Sequence, residues 1–403
     1  MSQDAEATGT RDAPAAPTAA GPRRHRLVVA SEFVVDSLVA LPAGVVAALI
    51  WANTYPETYY QFAQPLTFVV NEVGLAFFVA IVTKEVVEAT LPDGALHPWR
   101  RAALPIASAL GGVAAAIGVF LLILKYFAEP MLMEAWPMTT AVDIATTYII
   151  ARLIFGRHPA VTFLLVLAIA SDAAGLAILA VLNPIGDPHL LWGLALMALA
   201  IGSAIGLRHE RVRSFWAYLI VSGTLSWLGL YTLGVHPVLA LVPVVPFMPH
   251  AQRDLGLFVD APAGAHDTLT EFERWWDPPV QVILLLFGLI NGGVILHGLE
   301  AGTWALPIAV IAGRPIGILL GAGVAVLVGL HMPYRIGWLD LLVIGVIASV
   351  GLTIALFLAT VAIPTGPLLN QIKVGTLMTA GGGVLALLLA AALRVGRLAK
   401  KKS

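Results

Sequence analysis

The chain has 403 residues, of which 59% are hydrophobic and 12% charged, with a formal net charge of −1 and no cysteine. Soluble domains carry about twice that charge, so no large soluble domain fits outside the apolar segments, and the lack of a basic excess excludes a global nucleic-acid footprint. Without cysteine there are no disulfide scaffolds and no thiolate metal sites.

In chain order, residues 1–28 come first; up to about Pro22 they are rich in Ala, Pro, Thr and Gly and lack an apolar stretch. That composition predicts a disordered tail, not a cleavable signal peptide. A helix needs about 20 apolar residues to cross the hydrocarbon core. Twelve candidates satisfy that ruler: 29–52, 66–90, 101–125, 136–155, 159–182, 189–207, 214–232, 235–249, 278–298, 303–330, 338–363 and 369–395. The eighth is short and carries Pro237, Pro243, Pro246 and Pro249. Connections are brief and marked by Pro or Gly, such as Asn183-Pro184-Ile185-Gly186 and Pro364-Thr365-Gly366-Pro367. The loop at 250–277 is longer, polar and acidic, and its Trp275-Trp276 reads as an interfacial anchor.

The basic residues orient these spans. Arg23, Arg24 and Arg26 precede the first, Arg100 and Arg101 follow the second, and Arg152 and Arg157 follow the fourth. Arg208, Arg211 and Arg213 follow the sixth, Arg335 the tenth, and Arg394, Arg397 and Lys400 to Lys402 close the chain. Loops of opposite parity hold almost none, Lys125 being the main exception. The positive-inside rule then places both termini in the cytoplasm. Residues 29–396 form the membrane domain, followed by a basic tail at 397–403.

Two spans contain weak points for a helix. Span four carries Thr139-Thr140, Asp143 and Thr146-Thr147; span eleven carries Ser349-Val350-Gly351-Leu352-Thr353. Hydroxyl side chains compete for backbone hydrogen bonds, and interrupted segments in corresponding positions of two halves point to a transporter's binding site. Spans three to five and ten to twelve supply such a pair. Three charges fall near span centres: Asp143, Asp172 and Arg314. A mid-bilayer charge costs roughly 3 kcal/mol on insertion scales, so such groups face a polar interior, pair, or handle ions. Asp143 lies about two turns, or roughly 10 Å, into span four, and all three charges reach similar depth. Asp172 is the candidate for alternating between protonated and cation-bound states. Arg314 could pair with Asp172 or Asp143, or cap carbonyls freed where the helices break.

These residues resemble the NhaA-type sodium/proton antiporters over about Glu32 to Arg394. The resemblance is carried by Asn71-Glu72, Phe77-Phe78 and Glu85-Val86, by Ala141-Val142-Asp143-Ile144-Ala145 and by Leu167-Ala168-Ile169-Ala170-Ser171-Asp172. It continues through Gly234-Val235-His236, Asn291-Gly292-Gly293-Val294, Ala312-Gly313-Arg314-Pro315-Ile316-Gly317-Ile318 and Gly351-Leu352-Thr353-Ile354. It implies an all-α membrane protein of twelve helices with inverted repeats (spans three to five and ten to twelve) and crossed, interrupted helices four and eleven. It further implies a cytoplasmic funnel to Asp172, often a homodimer, and a cytoplasmic pH-sensing cluster that includes Glu85. The departures are specific. Ser171 stands where the family has a first aspartate, Arg314 where it has lysine, Val142 where it has threonine, and Glu72 where it has aspartate.

An arginine does not release a proton at accessible pH, and Ser171 holds no charge, so the site has fewer titratable groups. The expectation is a secondary transporter of the inner membrane that exchanges Na+ or Li+ for H+ by alternating access, without a cofactor. Asp172, Asp143 and Ser171 form the ion and proton site, with Asp172 contacting the transported metal ion. Arg314 and Asp143 compensate helix ends, and Thr140, Thr353 and Asn291 line the breaks. One proton per cation at Asp172 would make exchange electroneutral. A cation-coupled symporter or anion carrier using Arg314 is the alternative, and loss of sodium exchange a third outcome.

His236, in Gly-Val-His-Pro, and Glu85 are chemically able to sense pH. Against these stand a hydrogen-bonded structural histidine and an ordinary solvated helix end at Lys84, Glu85 and Glu88. Gly111-Gly112 and Gly381-Gly382-Gly383 read as close-packing positions. Neither a P-loop nor an H-E-x-x-H pattern occurs, and adjacent Ser171 and Asp172 diverge by about 100° on a helix, so ATP-driven pumping and an intramembrane enzyme have no support.

Overall fold

The computed structural model describes residues 40–89, 99–127, 130–156, 158–182, 188–250, 267–296, 301–333, 335–363 and 366–398. The expected N-terminal tail at 1–28 and the first part of span one, 29–39, lie outside the described residues. Among the described residues every regular element is helical. Six continuous helical runs there are long and apolar enough to cross a membrane: Pro56–Glu88, Ala102–Phe127, Pro159–Ile178, Leu190–His209, Gly302–Leu327 and Pro367–Leu393. A seventh is a bent pair, Met131–Thr140 and Ile144–Phe155, meeting at 50°.

In order, α1 is Ala40–Thr54, and α2 (Pro56–Phe68) passes through a π turn at Val69–Gly74 into α3 (Leu75–Ala89). Then come α4 (Trp99–Phe127), a 3-10 helix at Pro130–Thr140, α5 (Ile144–Phe155), α6 (Pro159–Leu182) and α7 (Leu190–His209). A second π turn at Tyr218–Gly223 leads into α8 (Thr224–Thr232), and α9 spans Thr268–Asn291. Next, α10 (Ala301–Ile308) enters α11 (Arg314–Leu327) through a π turn at Ala309–Gly313. The chain ends with α12 (Trp338–Ile347), α13 (Thr353–Ala362), α14 (Pro367–Met378) and α15 (Gly381–Leu393).

Three expected boundaries are corrected. Segment 235–249 is not a spanning helix; it forms 3-10 turns at Pro237–Leu239 and Val245–Phe247. Its four prolines lack the N–H that helix propagation requires, and His236 therefore caps a short turn instead of opening a span. Span nine begins ten residues early, because Asp267 caps the first turn by accepting from the Thr270 amide at 3.0 Å. Trp275 and Trp276 thus lie inside α9, where Trp276 stacks on Phe77 of α3 at 3.5 Å between centroids. Span two begins at Pro56, and Pro at the first helical position costs no hydrogen bond.

Two packed sets result. In one, α1, α2–α3 and α9 pack together; in the other, α4, the 3-10 helix, α5, α6 and α10 to α15 pack together. Direct contact between the sets centres on α9 against α13. Glycine sets the closest approach inside the second set: a Cβ on Gly111 would lie 2.9 Å from the Gly321 Cα, which no side chain tolerates. This is close packing at small residues, as in other membrane helices. Gly383 in α15 packs instead on the end of the Ile150 side chain of α5.

Candidate ion site at two helix breaks

The backbone breaks where the hydroxyl-rich stretches sit. Residues 141–143 separate the 3-10 helix from α5, and 348–352 separate α12 from α13. The breaks touch: the Asp143 amide donates to the Val350 carbonyl at 2.8 Å, and a Cβ on Gly351 would lie 2.7 Å from the Ala141 carbonyl. Each break leaves amides unpaired at a new helix start and carbonyls unpaired at an old helix end. At membrane depth those groups need protein partners or a wet cavity.

The three charges supply the partners by sign. Asp143 caps α5, its Oδ2 accepting from the Thr146 amide at 3.3 Å and from the Thr146 hydroxyl. Its Oδ1 accepts from the hydroxyl of Thr353, the first residue of α13, at 2.7 Å. Arg314 does the converse. Its Nη1 donates to the Ala141 carbonyl at 2.8 Å and the Ala348 carbonyl at 2.6 Å, and its Nη2 donates to the Thr139 carbonyl. The guanidinium therefore sits where both helix ends are partially negative, and the carboxylate where both starts are partially positive. Arg314 is 1% exposed and its Nε has no hydrogen-bond partner among the described residues. Of the two arrangements open to it, carbonyl capping is the one present; among the described residues no ion pair joins it to an aspartate.

Asp172 comes from α6, 4% exposed. Its Oδ1 accepts from the Val142 amide, a donor freed by the break, at 2.8 Å. That is its one hydrogen bond to a described residue, so half of the carboxyl remains uncommitted. Asp172 lies within electrostatic reach of Arg314 and Asp143. Ser171 is buried beside it at 2%. Thr140 turns its hydroxyl to the Pro137 carbonyl at 2.7 Å, and the bare Cα of Gly175, one turn beyond Asp172, packs on that hydroxyl.

The remaining candidates lie elsewhere. Asn291 exchanges amide hydrogen bonds with Asn71, at 2.8 and 3.2 Å, joining α9 to the first π turn. His236 is 3% exposed and lies 3.4 Å from Glu72 through Nε2, while its Nδ1 accepts from Val238. Glu85 is 1% exposed, so the solvated-end reading fails for it. Lys84, equally buried, bridges Glu85 at 3.1 Å, Glu88 at 2.8 Å and Glu273 of α9 at 2.8 Å. Sequence reasoning missed Thr146, the Val142 amide and Glu273. The Asp143–Thr146 spacing is a capping pattern legible in sequence; the other two depend on which helices meet.

The family model described as Na+/H+ antiporter 1 matches residues 34–393. The chain belongs to that family. The Na(+)/H(+) antiporter NhaA of Geobacter sulfurreducens is 38% identical to it over 387 residues, covering 93% of this chain and 100% of the relative. The NhaA of Desulfitobacterium hafniense (strain DSM 10664 / DCB-2) is 40% identical over 368 residues, covering 88% and 93%. Among solved structures, the sodium proton antiporter MjNhaP1 from Methanocaldococcus jannaschii aligns with a TM-score of 0.54 at 14% identity, covering 94% of this chain and 99% of that one; this shows the shared fold. The family member described here is thus a multi-pass membrane transporter of the cation/proton exchange class, not an enzyme.

Proposed function

We propose that this chain exchanges one Na+ or Li+ for one H+ at Asp172 by alternating access. The observation that carries the reading is the division of labour among the three buried charges. Asp143 has its oxygens taken by Thr146 and Thr353, and Arg314 has three donors taken by carbonyls. Asp172 alone keeps an oxygen without a described partner. A cation there displaces a proton from the same carboxyl, with Ser171 as a neutral neighbouring ligand. Because Arg314 keeps its charge and Ser171 never had one, each half-cycle carries a single positive charge, and exchange is electroneutral. Recognition of an anion by Arg314 is disfavoured, since three of its five N–H donors are taken and only Nε–H and one Nη2–H remain to bind it.

The proposed arrangement is twelve crossings in inverted repeats over residues 29–396, the eighth made by the irregular segment 235–249 and not by a helix, in the inner membrane, with both termini cytoplasmic and the tail at 397–403 basic. Two clusters support that polarity: Lys84, Glu88 and Glu273 meet at the ends assigned inside, and Asn53 and Asn370 meet Val294 and Ile295 at the ends assigned outside. Dimerisation follows from family resemblance alone. The deciding experiment is sodium- or lithium-evoked proton flux in proteoliposomes, wild type against Asp172→Asn. Flux lost in the variant supports the site, a wild-type current that reverses with voltage rejects electroneutrality, and wild-type vesicles indistinguishable from empty ones reject exchange.

A further inference from the structure

Between α9 and α10 the chain leaves the helical regime, and Gly293–Leu296 form no regular element, their hydrogen bonds alternating side to side as along an extended chain. An extended backbone presents its N–H and C=O groups along two opposite edges, and here each edge meets one asparagine. On one edge, Asn53 at the end of α1 donates through Nδ2 to the Val294 carbonyl at 2.9 Å. Its Oδ1 accepts from the Leu296 amide at 3.1 Å. On the other edge, Asn370 near the start of α14 donates to the Ile295 carbonyl at 3.0 Å and accepts from the Ile295 amide at 3.3 Å. The Gly293 amide donates to the Tyr59 hydroxyl at 3.1 Å, which itself donates to the Ile290 carbonyl at 2.7 Å. Two carboxamides thus stand where neighbouring strands would.

The placement matters because the two asparagines belong to different packed sets. Asn53 is carried by α1, which packs on α9; Asn370 is carried by α14, which packs on α10 and α13. The segment is one of two places, with the passage from α3 to α4, where the chain goes from the first set to the second. Asn53 is also anchored in its own set, its second amide hydrogen going to the Leu49 carbonyl at 2.8 Å. Motion of one set against the other bears on this passage, and because Asn53 is tied to the first set, the bonds such a motion would load are those of Asn370.

We propose that residues 292–296 are the outer joint of the transport cycle, with Asn53 as the fixed jaw and Asn370 as the moving jaw of a two-sided clamp. Both are positioning residues that set the rate of the conformational step without touching the ion. The inference rests on the alternating-access reading above.

The test measures sodium-evoked proton flux in proteoliposomes for the wild type, Asn370→Ala and Asn53→Ala, together with hydrogen exchange at the Gly293, Ile295 and Leu296 amides. Loss of the moving jaw should change maximal turnover by about fivefold or more, the factor tied to one net hydrogen bond. Apparent sodium KM should stay within about twofold, as expected when the ion site itself is intact. Ile295 exchange should accelerate in Asn370→Ala, and Leu296 exchange in Asn53→Ala, with the smaller turnover change in the latter. Unchanged turnover in Asn370→Ala, or a shifted KM with turnover intact, overturns the proposal. Should that variant fail to accumulate, Asn370→Ser, which keeps a single donor and acceptor, is read the same way. Absence of flux in the wild type would reject the exchange reading and leave the clamp to the exchange data, where an unprotected Ile295 amide in the wild type overturns it.

Discussion

Two buried cations in this chain solve the same electrostatic problem in opposite ways. Lys84 answers its charge with carboxylates, reaching Glu85, Glu88 and Glu273. Arg314 answers its charge with peptide carbonyls and leaves the acids beside it unpaired. The difference follows from what each region must do. A helix end stapled by ion pairs only has to hold two helices together, whereas an exchange site needs one acid free to change partner. On the proposed reading, a guanidinium paired with Asp172 would have occupied the transported ion's place. Removing the carbonyls through two helix breaks, and giving them to Arg314, keeps the cation nearby without consuming the carboxylate.

The largest effect that would break this contrast is at the acid itself. Asp172→Asn is expected to lower sodium-evoked proton flux by about 100-fold or more, because no neutral amide exchanges a proton for a cation at working pH. Protein level and thermal unfolding should be close to wild type, since the Asp172 side chain makes one hydrogen bond.

Next come the two cations, compared by pH. Arg314→Ala strands three buried carbonyls at a cost on the order of 3–5 kcal/mol, and most of its loss of melting temperature should be present at both pH 5.5 and pH 8, since carbonyls do not titrate and only the neighbouring Asp172 adds a pH-dependent part. Lys84→Ala leaves Glu85, Glu88 and Glu273 facing one another. Like charges repel once the cation is gone, so the destabilisation should be larger at pH 8 than at pH 5.5. Equal pH dependence in both variants would erase the distinction.

Smaller effects sharpen it. Thr353→Ala removes one donor from Asp143 and should cost about 1–2 kcal/mol, read as a lower unfolding temperature in detergent. Gly351→Ala would press a methyl on the Ala141 carbonyl and should cost about 1–3 kcal/mol by overpacking, read the same way. Glu72→Gln, on a partly exposed pair with His236, should shift stability by less than about 1 kcal/mol.

Much of this was legible from residues alone. Asp143, Asp172 and Arg314 stood out because apolar surroundings make charge conspicuous, and the threonine run and Ser349–Thr353 marked both breaks through their competition for backbone hydrogen bonds. Continuous apolar runs such as 159–182 gave helix ends correctly. Where the signal was mixed, the reading slipped: the prolines at 237–249 abolish a helix that hydropathy allows, and the polar first turns of α9 hide a helix that Asp267 starts. Lys84 looked like a solvated end because nothing local foretells Glu273, which lies far along the chain on another helix.

By itself, then, the sequence determined the medium, the presence of buried charge and the places where helices cannot continue, since hydropathy, composition and local hydrogen-bond competition act over a few turns. Tertiary structure alone decided which partner each charge has. Arg314 meets carbonyls from two breaks, Asp172 meets one amide, and Lys84 meets an acid from α9, because partner choice depends on how distant helices pack, and packing brings together groups that no local pattern relates.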